Sequence, residues 1–381
     1  MRLKLACILL LLLFVFPAVP AVAQEAQIPA ISAETAILYC ANNSEVLFEK
    51  DCDKRMKPAS TTKIMTALLA VEASSANNSE VTFTNDMIAE GSSMYLKLGD
   101  KIDLRSLAEG MMLVSGNDAA NAIAFSMRGS KEKFAELMNS RAQQLNMTNT
   151  HFMNPSGLDH EEHYSTARDL AILMAYALEN PDFAEITAEK NAKIDFIAPE
   201  NKSSIYSNHN KLLSMYQYCI GGKTGYTMAA GRCLVTAAEK DGLLLIAVTM
   251  NDRNDWQDHI ALFDYGFSQL EIFAADDTSQ GFEVPVAGGR DNESVTLRST
   301  IPVTAVVPFG SSERIERRVS VPDSLNAPVE ISFPYGEITY TLDGIEIAAV
   351  PLCSDRTVLP YDPTWFEKII NFFNNILNKE K

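Results

Sequence analysis

Three short patterns of reactive side chains occur along the 381-residue sequence. The first is Ser60-Thr61-Thr62-Lys63, a serine three residues before a lysine. On a helix that spacing puts both side chains on one face, a turn apart. A serine hydroxyl needs a neighbouring base to become a useful nucleophile. Lys63 leads directly into the nearly unbroken apolar run Ile64 to Val71. Burial there, facing a second lysine, pushes an amine toward its neutral form and makes Lys63 a candidate base. Ser60 at the helix start also meets free backbone N–H groups, which favour developing negative charge.

The second pattern is Ser115-Gly116-Asn117, on a short loop between two helical stretches. Its hydroxyl can relay a proton to a leaving amine, and its amide can grip a substrate amide. The third is Lys223-Thr224-Gly225, which follows Gly221-Gly222 and precedes a strand hairpin. Glycine there lets a sheet edge approach a ligand closely, so that a peptide can add as an extra strand. Lys223 and the Thr224 hydroxyl suit a carboxylate. The backbone N–H of Tyr226, with that of Ser60, can form an oxyanion hole.

Each pattern alone is weak. Ser-x-x-Lys recurs at Ser130 to Lys133, and Ser-x-Asn at Ser75 to Asn77 and Ser324 to Asn326, whereas Lys-Thr-Gly occurs once. Bland alternatives exist for all three: a capping serine with a surface lysine, a helix–helix turn capped by Asn117 or Asp118, and a glycine-rich turn with a solvated lysine. The order of the three, and the apolar helix behind Lys63, favour chemistry.

The elements that must hold these residues can be read from periodicity. Ala36 to Cys40 and Glu45 to Glu49 form a hairpin turned at Asn42-Asn43. Thr61 to Ala73 is apolar nearly all round and predicts a helix buried in the core. Helices are also predicted over Leu104 to Val114, Ala119 to Met127, Lys131 to Leu145 and Ala167 to Leu178, and at about 256–270. Arg232 to Ala238 and Leu243 to Met250 are strands joined at Asp241-Gly242. From 282 to 352 short strand-like runs predict an all-β module, including Val303 to Val307, Val319 to Val321, Val329 to Phe333 and Ile338 to Leu342.

Composition narrows the function classes. The formal charge is −17, and no basic cluster points to nucleic acid. Outside Cys7 in the leader, Cys40, Cys52, Cys219, Cys233 and Cys353 form neither a disulfide framework nor a zinc-type pair, and read as small hydrophobes. His160-Glu161-Glu162-His163 lacks the spacing of a helical zinc motif and reads as solvated loop, so no metal and no cofactor is expected. Arg2, Lys4, the apolar run Leu5 to Phe16 and Ala21-Val22-Ala23 read as a cleavable export signal over 1–23, with an uncleaved anchor as the alternative.

Together with the stretches Phe152-Met153-Asn154-Pro155-Ser156-Gly157-Leu158, Ser165 to Leu170, Asn208 to Leu213 and Gly221 to Thr227, the three motifs resemble the low-molecular-mass penicillin-binding proteins. These are the serine-type D-Ala-D-Ala carboxypeptidases. The resemblance runs from about Ala33 to Met250, and more loosely to Leu352. It implies an α+β fold, with a catalytic domain like that of penicillin-binding proteins and serine β-lactamases: an antiparallel sheet flanked by helices, plus a helical subdomain. A small all-β domain and a C-terminal amphipathic helix follow. It implies Ser60 as the acylated nucleophile, Lys63 as its base and Ser115 in proton transfer. Asn117 would hold the substrate amide and Lys223 the terminal carboxylate, with Thr224, Gly225 and Tyr226 lining the substrate strand. The expected domains are 24–275 (catalytic), 282–355 (β-rich) and 363–381 (a helix lying on the membrane).

The partners so implied are peptidoglycan stem peptides, β-lactams as covalent inhibitors, and the outer face of the cytoplasmic membrane, with no nucleic acid. The chain is expected to be exported and peripherally attached to that membrane. Three rival readings compete with this one. A class A β-lactamase needs a Glu-x-x-x-Asn pattern, which is missing between Ser115 and Lys223. A non-catalytic scaffold would be expected to have lost Ser60, Lys63 or Lys223. Endopeptidase action on cross-links stays open.

Overall fold

The computed structural model describes residues 27–289 and 293–370. The expected export signal and residues 371–381 of the expected terminal helix lie outside that range.

A five-stranded antiparallel sheet organises the first region, in the order β2-β1-β9-β8-β7. Its strands are β1 (Thr35–Cys40), β2 (Glu45–Lys50), β7 (Cys219–Thr227), β8 (Gly231–Lys240) and β9 (Leu243–Met250). The turn between β8 and β9 is set by Asp241 at φ +50° and Gly242 at φ +83°, the left-handed pair that a two-residue hairpin requires. Apolar runs in β8 and β9 are continuous because both faces of the sheet are covered. One face carries α8 (Asp255–Gln269), whose Leu262, Phe263 and Phe267 pack on Leu38, Leu234 and Leu245. β7 is an edge strand, with a free side.

Helices fill the other face. α1 (Lys63–Ala76) is buried from Lys63 through Val71 without a break, which is why its sequence has no polar stripe. Around it lie α2 (Leu104–Val114), α3 (Asn117–Arg128), α4 (Lys131–Gln144), α5 (Ala167–Leu178) and α6 (Pro181–Ala188). Short ribbons complete the region: β3 (Glu80–Thr82) with β4 (Lys101–Asp103), and β5 (Asn191–Asp195) with β6 (Ser203–Ser207). The four-residue α7 (Leu212–Met215) leads into β7.

β10 (Leu270–Ala275) leaves α8 and pairs along its length with β13 (Val303–Pro308). A six-stranded sheet runs β14-β16-β17-β12-β11-β15. It is formed by β11 (Gly281–Ala287), β12 (Ser294–Arg298), β14 (Ile315–Ser320), β15 (Leu325–Asn326), β16 (Pro334–Leu342) and β17 (Ile345–Ser354). Val284, Val295, Leu297, Ile338, Val350 and Leu352 make a separate core. The chain is therefore α+β, with an all-β second region.

One expected strand is absent. Over Val329 to Phe333 only Val329 makes a bridge, to Val358. Ser332 turns the chain at φ +63°, and Ile331 and Phe333 point to solvent, so the apolar alternation has no sheet face to cover. Among the described residues no helix is long and apolar enough to cross a membrane. Residues 365–370 are helical, with Trp365, Phe366 and Ile370 exposed.

Two glycines separate backbone strain from steric contact. Gly157 (φ +84°) lies so close to the chain ahead of α1 that a Cβ would sit 1.8 Å from the Ala59 carbonyl oxygen. Gly129 (φ +77°) has nothing within 4 Å of its Cβ position. Gly129→Ala should cost about 1 kcal/mol in denaturant unfolding from backbone conformation alone. Gly157→Ala should cost at least about 2 kcal/mol and slow acylation as well, because backbone cannot yield as a side chain does. Equal costs for the two would remove the claimed contact.

Candidate active site

Ser60 sits in a 3-10 turn, Ala59–Thr62, that runs directly into α1. The expected helix begins differently: the turn is tighter, so residues three apart eclipse one another and Lys63 lies beneath Ser60. Ala59 takes φ +47° and the Thr61 hydroxyl donates to the Pro58 carbonyl at 2.7 Å, which fixes the turn.

Lys63 is fully buried. Its Nζ lies 3.0 Å from Ser60 Oγ, 2.7 Å from Asn117 Oδ1 and 2.6 Å from the Ser156 carbonyl oxygen. All three partners are neutral. Burial, and the charge of Lys223 beyond it, hold the Lys63 amine well below the ordinary lysine range, against a weaker pull from Asp118. A neutral amine fits these contacts. Its two N–H bonds can donate to the amide and carbonyl oxygens, and its lone pair can accept the Ser60 hydroxyl proton.

Each partner of Lys63 is itself held. Asn117 opens α3, its backbone N–H donates to Ser92 O at 2.7 Å, and its Nδ2 donates to Glu90 O at 2.7 Å. Ser115 ends α2 at φ +60°, in the left-handed region, and is nearly buried. Asp118, expected as an alternative helix cap, does something else. Its carboxylate accepts from Met94 N (2.9 Å), Leu96 N (3.1 Å) and Ser93 Oγ (2.6 Å), so it holds the 92–96 loop against the site.

The Ser156 carbonyl comes from a turn built on Asn154. Asn154 Oδ1 accepts from Ser156 N (3.2 Å), Gly157 N (2.8 Å) and Leu158 N (3.2 Å), while its Nδ2 donates to Leu158 O. Thr66 Oγ1 donates to Pro155 O at 2.7 Å and ties the turn to α1. His163 closes it from behind. Contrary to the expected solvated loop, His163 is buried, while His160, Glu161 and Glu162 are exposed. Met153 N donates to its Nδ1 at 3.1 Å, so Nε2 carries the hydrogen and donates to Thr62 Oγ1 at 2.9 Å. Burial pushes this imidazole down to about 3, so it stays neutral and acts as a brace.

β7 supplies the opposite wall. A Cβ on Gly225 would come within 3.1 Å of Pro58 O, Ser60 N and Thr61 N, so any larger residue would press the strand away from the nucleophile's turn by a few tenths of an ångström. Lys223 is also buried, with Nζ donating to Thr224 O at 2.9 Å, and burial lowers its pKa to about 7. Both buried amines are thus held below the ordinary lysine range. Thr224 and Tyr226 face a cleft of about 470 Å³ that also exposes Ser60 and Ser115.

Sequence reasoning gave no role to two cations that line that cleft, Lys211 and Arg232. Arg232, across from Tyr226 on β8, lines it and is held by Asp255 through two bonds of 2.9 and 2.6 Å. Nothing in the local sequence marked it; the hairpin register places it there. Among the described residues Cys40, Cys52, Cys219, Cys233 and Cys353 are free, and no group of three metal-ligating side chains gathers.

Residues 22–254 match the family profile described as D-alanyl-D-alanine carboxypeptidase, and residues 267–359 match that of the penicillin-binding protein 5 C-terminal domain. A D-alanyl-D-alanine carboxypeptidase of Bacillus subtilis, DacF, is 30% identical over 338 residues, covering 85% of each chain. The Escherichia coli enzyme DacA is 31% identical over 91% of this chain and 88% of its own. The crystal structure of penicillin binding protein 5 from Haemophilus influenzae superposes with a TM-score of 0.67 at 31% identity, covering 87% of this chain and 99% of that one. The chain belongs to the D-alanyl-D-alanine carboxypeptidase family, the low-molecular-mass penicillin-binding serine enzymes.

Proposed function

We propose that Ser60 is the residue acylated when this enzyme removes the terminal D-Ala from a peptidoglycan stem peptide. The observation that carries the assignment is the buried amine of Lys63, 3.0 Å from Ser60 Oγ and in contact only with neutral groups. Lys63 takes the hydroxyl proton as Oγ attacks the penultimate D-Ala carbonyl. Developing oxyanion charge falls to the N–H groups of Ser60 and Tyr226. Ser115 passes a proton to the leaving amine. Asn117 and the backbone of β7 around Gly225 and Tyr226 hold the peptide, while Lys223 and Thr224 serve its terminal carboxylate. Water then hydrolyses the ester. A β-lactam enters the same path and leaves a long-lived ester, since no glutamate of the class A kind stands ready to activate water.

The domain division we propose is 24–275 for the catalytic unit and 282–355 for the β-rich unit, with β10 at the end of the first pairing with β13 of the second. Residues 363–381 are proposed to rest on the outer face of the cytoplasmic membrane after export through the 1–23 signal. Trp365, Phe366, Ile369, Ile370, Phe373, Ile376 and Leu377 recur at helical spacing, too few and too interrupted by asparagine to span a bilayer.

A fluorescent penicillin should label one serine per chain, and peptide mass spectrometry should place it at Ser60. Ser60→Ala should abolish labelling with the melting transition retained; an adduct elsewhere would refute the assignment. Lys223→Ala should weaken cleavage of a peptide with a free terminal carboxylate by roughly 1.5–3 kcal/mol, and a thioester lacking that carboxylate much less. Equal losses would mean Lys223 serves the acid–base steps or the structure instead. Deleting residues 363–381 from an exported form should release the enzyme from membranes with penicillin labelling intact. A truncated protein that still pellets with membranes would contradict the anchor.

A further inference from the structure

The turn at Ser332 carries apolar side chains that no sheet face covers. Val329 and Val358 are buried and pair as an antiparallel bridge, which sets the chain before this turn beside the chain that leaves β17. Beyond the bridge, Ile331 N donates to Thr357 Oγ1 at 3.1 Å and Ser332 N to Ser354 O at 2.9 Å. Glu330 N donates to the Tyr335 hydroxyl at 2.9 Å. With Ser332 at φ +63°, these bonds hold the turn in one shape. Its apolar side chains face outward: Ile331 is 57% exposed and Phe333 51%. On the adjoining segment Leu359, one residue past the buried Val358, is 71% exposed. Large apolar side chains held out on a braced backbone mark a surface that is covered in use.

The same segment leads to the terminal helix. Trp365 follows Val358 by seven positions, a reach of at most about 25 Å when fully extended. Trp365, Phe366 and Ile370 are exposed, and the sequence beyond them continues the apolar pattern. When that helix lies on a membrane, the turn is within reach of the same surface. The side chains of both sites suit the boundary between headgroups and acyl chains.

We propose that Ile331, Phe333 and Leu359 form a second lipid-contact site, so that the β-rich region itself rests on the membrane beside the C-terminal helix. This rests on the anchor reading of residues 363–381 above and deepens it. The flanking charges Glu330, Asp355, Arg356 and Asp362 carry no cationic excess, so apolar insertion drives the contact rather than attraction to anionic lipid. Three side chains are too few to hold the protein on a bilayer alone, since even one long acyl chain binds only marginally. Beside an inserted helix their entry is an intramolecular step, and it adds to the binding. The consequence is orientation. A helix on a linker leaves the rest of the chain free to swing, and a second contact on the sheet's own turn removes that freedom. β10 continues from α8 into the pairing with β13, so what orients the β-rich region orients the Ser60 cleft as well.

The test uses the chain from residue 24 to its end and vesicles of phosphatidylethanolamine and phosphatidylglycerol. Trp256 and Trp365 are the chain's two tryptophans. Replacing both by Phe and adding Phe333→Trp leaves one reporter, on the turn. At saturating lipid its emission should shift to the blue, and lipids brominated in the acyl chain should quench it. In the otherwise unchanged chain, Ile331→Ser together with Phe333→Ser should weaken vesicle binding about tenfold. Penicillin labelling in solution should change by less than about twofold, as for surface substitutions away from the site. A reporter that stays in water overturns the proposal, and so does vesicle binding that the paired substitutions leave unchanged. The terminal anchor then still stands, provided that deleting residues 363–381 releases the protein. If that deletion releases nothing, the anchor reading fails and takes this proposal with it.

Discussion

Everything at this site depends on keeping one amine dry. Lys63 is the first residue of a helix buried along nine consecutive positions, and it has no carboxylate among its hydrogen-bond partners. An ammonium so placed carries a desolvation cost that neutral acceptors do not offset, so the proton is released. The same burial that destabilises the charged form creates the base. Moving Lys63 toward solvent, or giving it an acidic partner, would restore an ordinary lysine and leave Ser60 unactivated.

The surrounding structure can be understood as the means of enclosing that amine. From below, the Asn154 turn presents the Ser156 carbonyl, and Gly157 lets the turn press against Ala59. Asn117 reaches it from the helical side, while Asp118 next in sequence holds the 92–96 loop. On the sheet side Gly225 brings β7 against the turn that carries Ser60. The last wall also leaves the β7 edge open, where a peptide backbone can pair. One close approach thus both buries the base and offers the substrate its strand. Lys223 adds a second buried amine behind that strand, and its positive charge makes protonating Lys63 costlier still.

Much of this was legible in the sequence, for a simple reason. Ser60 and Lys63 are three residues apart, and a local repeat fixes their relation before any tertiary contact forms. The hairpin at Asp241-Gly242 and the helix behind Lys63 were likewise local signals. Contacts between distant segments were not legible. Asn117 and Ser156 reach Lys63 across 54 and 93 residues. His163 looked like part of a polar loop because its burial is supplied by Thr62 and Phe152, which come together only in the fold. Arg232 stood only as the first residue of a hairpin strand, and the register that places it in the cleft is a tertiary fact. The strand expected at Val329 to Phe333 failed in the opposite sense: the pattern was right, but no sheet face was there to receive it.

The most direct test of the account is the protonation state of Lys63 itself. Lysine side chains labelled with 13C and 15N can be followed by NMR as a function of pH, with the Lys63 and Lys223 signals assigned from Lys63→Met and Lys223→Met proteins. The account predicts that the Lys63 amine loses its proton well to the acid side of the ordinary lysine range. A Lys63 signal that remains ammonium at pH 7 and titrates near the ordinary lysine value of about 10.4 would contradict it.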